Sequence, residues 1–173
     1  YVMAVTLATS LPLGSDVQQL GAAGSGGTKP LGALRQVIKE GVATRTLLAK
    51  ESNSLCCYDR AAGVVYTLPA PAVGLQFDFM VTTAVTSNAH KVITDAGTTF
   101  LVGGIIMGDV TVAQSGDYFE ADGTTIVALS AAGSTTGGLL GEQYRVTCIN
   151  STQWAIEGVC HGAGVLATPF STT

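Results

Sequence analysis

The residues able to do chemistry are few and dispersed. Two histidines, His90 and His161, and four cysteines, Cys56, Cys57, Cys148 and Cys160, supply the imidazole bases and the thiols available as nucleophile or metal ligand. Cys160 stands beside His161, and a thiol with an imidazole can act as nucleophile and base. Neighbouring residues in a strand point to opposite faces, however, and no third group stands out to orient the imidazole. His90 follows the turn signal TSNA and opens HKVITD, which places it at a strand end or on the surface. No CxxC, HExxH or DxDxDG occurs, and Cys148 with the 160–161 pair has no zinc spacing. The densest acidic group is Asp109, Asp117, Glu120 and Asp122. QSGDYFEADGTT reads as a loop whose Asp and Gly residues form turns, with a hard cation held through oxygens as the alternative. VGGIIMG lacks the following Lys-Ser/Thr of a phosphate cradle and reads as turn or bulge glycines. No pair of carboxylates is singled out for glycoside cleavage. Trp154 is the one tryptophan; in an alternating strand it reads as core, not as a sugar platform. No catalytic, cofactor-binding or metal-ligating residue is assigned, no cofactor is called for, and the chain is not read as an enzyme.

The cysteines read as packing residues. Four in 173 residues do not make a disulfide scaffold. Cys56 and Cys57 are adjacent, so at most one lines the core. All four are expected as small buried hydrophobes; a bridge from one of the adjacent pair to Cys148 or Cys160 is the alternative.

Composition points toward contact and away from chemistry. Charged residues are 12% of the chain, about half the usual quarter. Mean hydropathy is +0.42, and Gly, Ala, Ser and Thr replace the missing charge. Such a surface solubilises poorly, which is resolved if much of it is covered in an assembly; a weakly charged globule is the plainer alternative. Net charge is −4, and the eight Lys and Arg are scattered. Phosphate recognition needs clustered cations, so direct nucleic-acid binding is not expected. No membrane span is expected either: TFLVGGIIMG is too short and glycine-rich. YVMAVTLATSLPLG is apolar but has no basic n-region, so it is not read as a signal peptide.

The elements that must position these residues are β. Residues 1–43 read as an N-terminal arm, with the Gly/Ser-rich GAAGSGGTKP extended or flexible. Leu31, Leu34, Val37 and Ile38 recur at roughly helical spacing between Pro30 and Gly41. This predicts one short helix over 31–40, weakened by Gly32, with a strand through Leu34–Ile38 as the alternative. Residues 44–170 read as the folded domain. TRTLLAK, SLCCYDR, VVYTLP, LQFDFMVTT, HKVITD, TTFLVG, GDVTVA, TTIVALS, QYRVTCIN and QWAIEGV are short, β-rich and separated by turn residues. Many short strands without long helices predict an all-β fold, a β-sandwich or jelly-roll-like domain. Alternation puts Phe77, Phe79 and Val81 on one face and Gln76, Asp78 and Met80 on the other. INSTQW reads as a hairpin turn, and Pro69 and Pro71 mark a corner. Leu68, Phe77, Phe79, Val81, Val146, Trp154 and Ile156 are the expected core.

The stretch TLLAKESNSLCCYDRAAGVVYTLPAPAVGLQFDFMVTTAVTSNAHKVIT resembles a recurrent module of tailed-bacteriophage virion proteins. In that module a strand ending in Asp precedes a small Ala/Gly turn, then come TLPAP, a glycine and an F-x-F strand; a hairpin like WAIEGV closes it. The resemblance covers roughly 45–159 and is most specific over 59–83. SNSLCCYDR departs from it, with two cysteines where aliphatics are usual. The family comprises capsid decoration (cement) proteins and other virion structural proteins. The resemblance implies a homo-oligomer, a trimer or a dimer, on the capsid exterior, bound to the major capsid protein and needing no active site. A receptor- or glycan-binding module of the tail or a fibre is the alternative. Residues 1–40 are expected to carry intersubunit contact.

Overall fold

In the computed structural model, residues 35–112 and 115–173 are described. The predicted alternation becomes strand almost wherever Val, Ile, Thr and aromatics cluster. The strands are β1 (Val37–Ile38), β2 (Thr44–Thr46), β3 (Ser54–Tyr58), β4 (Val65–Thr67), β5 (Gln76–Val81) and β6 (His90–Ile93). They continue with β7 (Phe100–Asp109), β8 (Gly116–Asp122), β9 (Ala128–Ala131), β10 (Gln143–Cys148), β11 (Gln153–Gly162) and β12 (Phe170–Ser171). The only helical pieces among the described residues are two 3-10 turns, Ala49–Glu51 and Ser134–Thr136.

Two mixed sheets form, a seven-stranded one in the order β1-β3-β5-β10-β11-β7-β8 and a five-stranded one in the order β12-β9-β6-β4-β2. From β1 to β7 the chain alternates between the sheets at every step. Successive strands of one sheet are therefore parallel: β1–β3–β5 in the larger and β2–β4–β6 in the smaller. A parallel pair needs a crossover, usually helical; here a strand of the opposite sheet serves. The Pro69–Pro71 corner is one such passage, between β4 and β5.

The core lies between the sheets, as the all-β sandwich expectation requires. Leu68, Phe77, Phe79, Val81, Val146, Trp154 and Ile156 are all buried in it. β5 reads half-buried and buried in strict alternation. An aromatic layer joins the sheets: Tyr58 of β3 meets Tyr66 of β4 edge-on at 5.3 Å and His90 of β6 at 4.6 Å. Phe79 stacks on Tyr144 at 5.3 Å. Such pairs add about 0.5–1.5 kcal/mol each beyond area burial.

Four expectations change. The helix over 31–40 is absent from its described part: Val37 and Ile38 form β1, parallel to Leu55 and Cys56, and Ile38 enters the core. The buried partner row offered by β3 overrides a weak helical spacing that contained Gly32. β1 thus lies inside the stretch assigned to the arm; residues 1–34 lie outside the described residues. QSGDYFEADGTT is not a loop, for residues 116–122 form β8 against β7. GDVTVA is not a strand of its own: Gly108 and Asp109 end β7, and residues 110–112 leave the sheet, the Asp109 carboxylate accepting from the Thr111 N–H at 2.7 Å and its hydroxyl at 2.6 Å. That Asx turn competes successfully with β continuation.

Candidate functional site

The structure disperses the sequence candidates. His90 opens β6 as expected, but it is fully buried and not a surface residue. Its Nε2 lies 2.9 Å from the Thr83 carbonyl. A carbonyl only accepts, so Nε2 carries the proton, and Nδ1 has no partner among the described residues. Burial pulls its pKa below 6.5, against the Thr83 hydrogen bond and the charge of Asp59. This is a core imidazole under Tyr58.

Cys160 and His161 sit side by side in β11 and meet Glu142 by different atoms. The Cys160 thiol lies near enough to the Glu142 carboxylate to feel its charge, and the His161 backbone N–H donates to Glu142 Oε1 at 3.1 Å. Burial and the Glu142 charge push the thiol far up, which removes thiolate character. The other cysteines are free and buried too, so no bridge forms. Cys56 lines the core and burial pushes it up to about 12. Cys57 faces the other way, buried outside the main cluster.

Glu142 is the residue that sequence reading missed. It is fully buried just before β10 and receives the N–H groups of Gly138 at 2.9 and 2.8 Å and of Leu139 at 3.0 Å. Gly137 and Gly138 have φ of +85° and +97°, and this left-handed backbone turns the donors toward the carboxylate. Burial raises its pKa, and the donors partly offset that. The one sequence signal is GGLLGE, a glycine-rich turn ending on a lone acid.

The acidic cluster does not converge. Asp122 accepts from the N–H groups of Thr124 and Thr125, both at 2.8 Å, and from the Thr125 hydroxyl, which hold its carboxyl well below the usual range. Among the described residues no group of His, Cys, Asp and Glu is placed to hold a metal ion. Gly103, inside VGGIIMG, sits mid-strand with φ +113°, where a Cβ would lie 2.5 Å from the Ile156 carbonyl oxygen. It is a close-approach glycine and cradles nothing. Trp154 is core.

What remains is the outer face of the larger sheet. Its cross-strand registers align Asp78, Arg145 and Glu157 on β5, β10 and β11. Arg145 donates to Asp78 at 2.7 and 3.3 Å, and Arg35 reaches the same carboxylate at 2.5 Å. Burial pushes the Asp78 carboxyl up, and the two guanidiniums more than reverse this. An open groove of about 590 Å³ follows this row, with Met80 and Val159 along it. One register on, Val159, Ile106 and Tyr118 stand abreast on β11, β7 and β8, exposed by 50%, 57% and 63%. Tyr118 is the one exposed aromatic among the described residues. Here the sheet presents apolar area to its surroundings, flanked by charge on one register only.

No protein-family model, curated protein or solved structure matches this chain. No helix among the described residues is long and apolar enough to cross a membrane.

Proposed function

We propose that this chain is a structural protein of a virion, one that decorates and cements a capsid shell by binding the major capsid protein and its own copies. The observation carrying this reading is the apolar row Val159–Ile106–Tyr118 on the outer face of an otherwise well-packed sandwich. Apolar rows of this kind, rimmed by polar groups, mark contact surfaces. The sparse charge of the chain, 12%, supports the same reading, as does the resemblance of 45–159 to the virion module. A clamp acts by binding only the assembled shell, which stabilises it by mass action over many copies.

Its test is the copy number of the chain in purified particles against the major capsid protein. A ratio near one to one or one to three supports cementing. A ratio of a few per cent favours the tail- or fibre-associated receptor or glycan module, and absence from particles overturns both.

A further inference from the structure

The two ends of the seven-stranded sheet differ in charge. At one end, β11, β7 and β8 carry Asp109, Asp117, Glu120, Asp122 and Glu157 and not one Lys or Arg. At the other, Arg35 and Lys39 flank β1 and Arg145 lies on β10; the acids there are Asp78 on β5, held by Arg35 and Arg145, Glu40, held by Arg45, and Asp59 just past β3, and Lys39 has no ion-pair partner among the described residues. Beyond Lys91 the chain has no cation except Arg145, so the fold turns a sequence asymmetry into a sheet with an acidic end and an end of mixed charge that keeps Lys39 free among the described residues.

Both ends are edges. Among the described strands β8 pairs with β7 alone and β1 with β3 alone. An unpaired edge is a template for another strand. The acids on β8 bear on the occupant: a second β8 would bring two strands, each carrying Asp117, Glu120 and Asp122, side by side, and like charges close together across strands repel. Nucleic acid is repelled likewise. The complementary strand already on this molecule is β1.

We propose that β8 receives β1 of a second copy of this chain, head to tail. Pair senses across the sheet run β8 opposite to β1. A copy added in the same orientation therefore brings its β1 antiparallel to β8, the stronger ladder. Val37, 56% exposed and in register with Leu55 and Asp78, lies on the outer face, as does Tyr118. The junction extends the row Val159–Ile106–Tyr118 with a β-branched partner for the tyrosine. β1 contributes a two-residue ladder, so side-chain contact and charge supply most of the affinity. A head-to-tail contact closes into a ring or runs on as a filament, according to the rotation it builds in. This rests on the self-association in the reading above and not on the shell.

The test is the oligomeric mass of the full chain in solution, by light scattering and native mass spectrometry, for three charge variants. Asp117→Lys/Glu120→Lys reverses the β8 end, Gln36→Glu/Lys39→Glu reverses the β1 end, and the third carries both pairs. None of these side chains takes part in a described turn or core contact, and thermal unfolding checks that each variant folds. Each single reversal is expected to weaken assembly by roughly tenfold or more, because facing like charges suppress a pairing. The combined variant is expected to regain it, and added salt to weaken the wild type. A monomeric wild type overturns the inference, as does a β1 reversal without effect or a combined variant no better than the single ones. Copy number in particles is measured separately, so the shell reading stands or falls without this one.

Discussion

A buried imidazole with one unpaired nitrogen ties stability to pH. His90 donates from Nε2 to Thr83 and offers Nδ1 to nothing described. Protonation would create a second donor at Nδ1, which has no acceptor among the described residues, in a ring whose centroid lies 4.6 Å from that of Tyr58. A buried polar group without a partner is destabilising, and a buried charge more so. The folded chain therefore holds His90 neutral to lower pH than the unfolded chain does, with a pKa below 6.5. The sign follows from linkage. The stability is present in full above 6.5 and is lost as pH falls through the lowered folded value. Denaturant midpoints measured across this range should fall for the wild type and stay flatter for His90→Phe. Parallel curves for the two proteins would show that His90 does not drive the loss.

At the scale of elements, the turn before β10 is organised by one carboxylate. Glu142 Oε1 accepts from Gly138, Leu139 and His161, whereas Oε2 is reached by Gly138 alone. Glu142→Ala strands these buried donors and is expected to destabilise by about 1–3 kcal/mol, the range for orphaned buried groups. Glu142→Gln can keep its amide oxygen at the Oε1 position and should lose less than half as much in urea titrations. Equal losses would mean that negative charge, not acceptor geometry, holds the turn. The sequence showed this element poorly, since a lone Glu after glycines resembles any polar turn. Long-range partners decided the other misses as well. β8 looked like a loop because its Gly, Asp and Glu are poor strand formers, and pairing with β7 overrode them. The core was legible because Phe77, Phe79, Trp154 and Ile156 alternate with polar neighbours, a pattern that survives without knowing the topology. The alternation of the chain between two sheets left no such local trace.

At the scale of the whole molecule, Arg35–Thr173 is a compact unit with its own core, and β1 belongs to that unit. Two truncations should therefore behave differently. A chain of 35–173 keeps Ile38 in the core and Arg35 on Asp78, and is expected to unfold cooperatively. A chain of 41–173 loses both, and the lost isoleucine burial alone is worth about 1.5–3 kcal/mol. The same pair of chains separates two sources of self-contact. If the segment 1–34 carries it, the longer chain is already monomeric. If the edges carry it, 35–173 assembles like the full chain, and only 41–173, which retains β8 but has no β1 to offer, is monomeric. The edge charges favour the second outcome, because Lys39 and Arg35 lie within 35–173 while the first 34 residues hold one basic residue, Lys29. Light scattering on the two chains beside the full protein gives the answer, with thermal unfolding of 41–173 separating loss of an edge from loss of the fold.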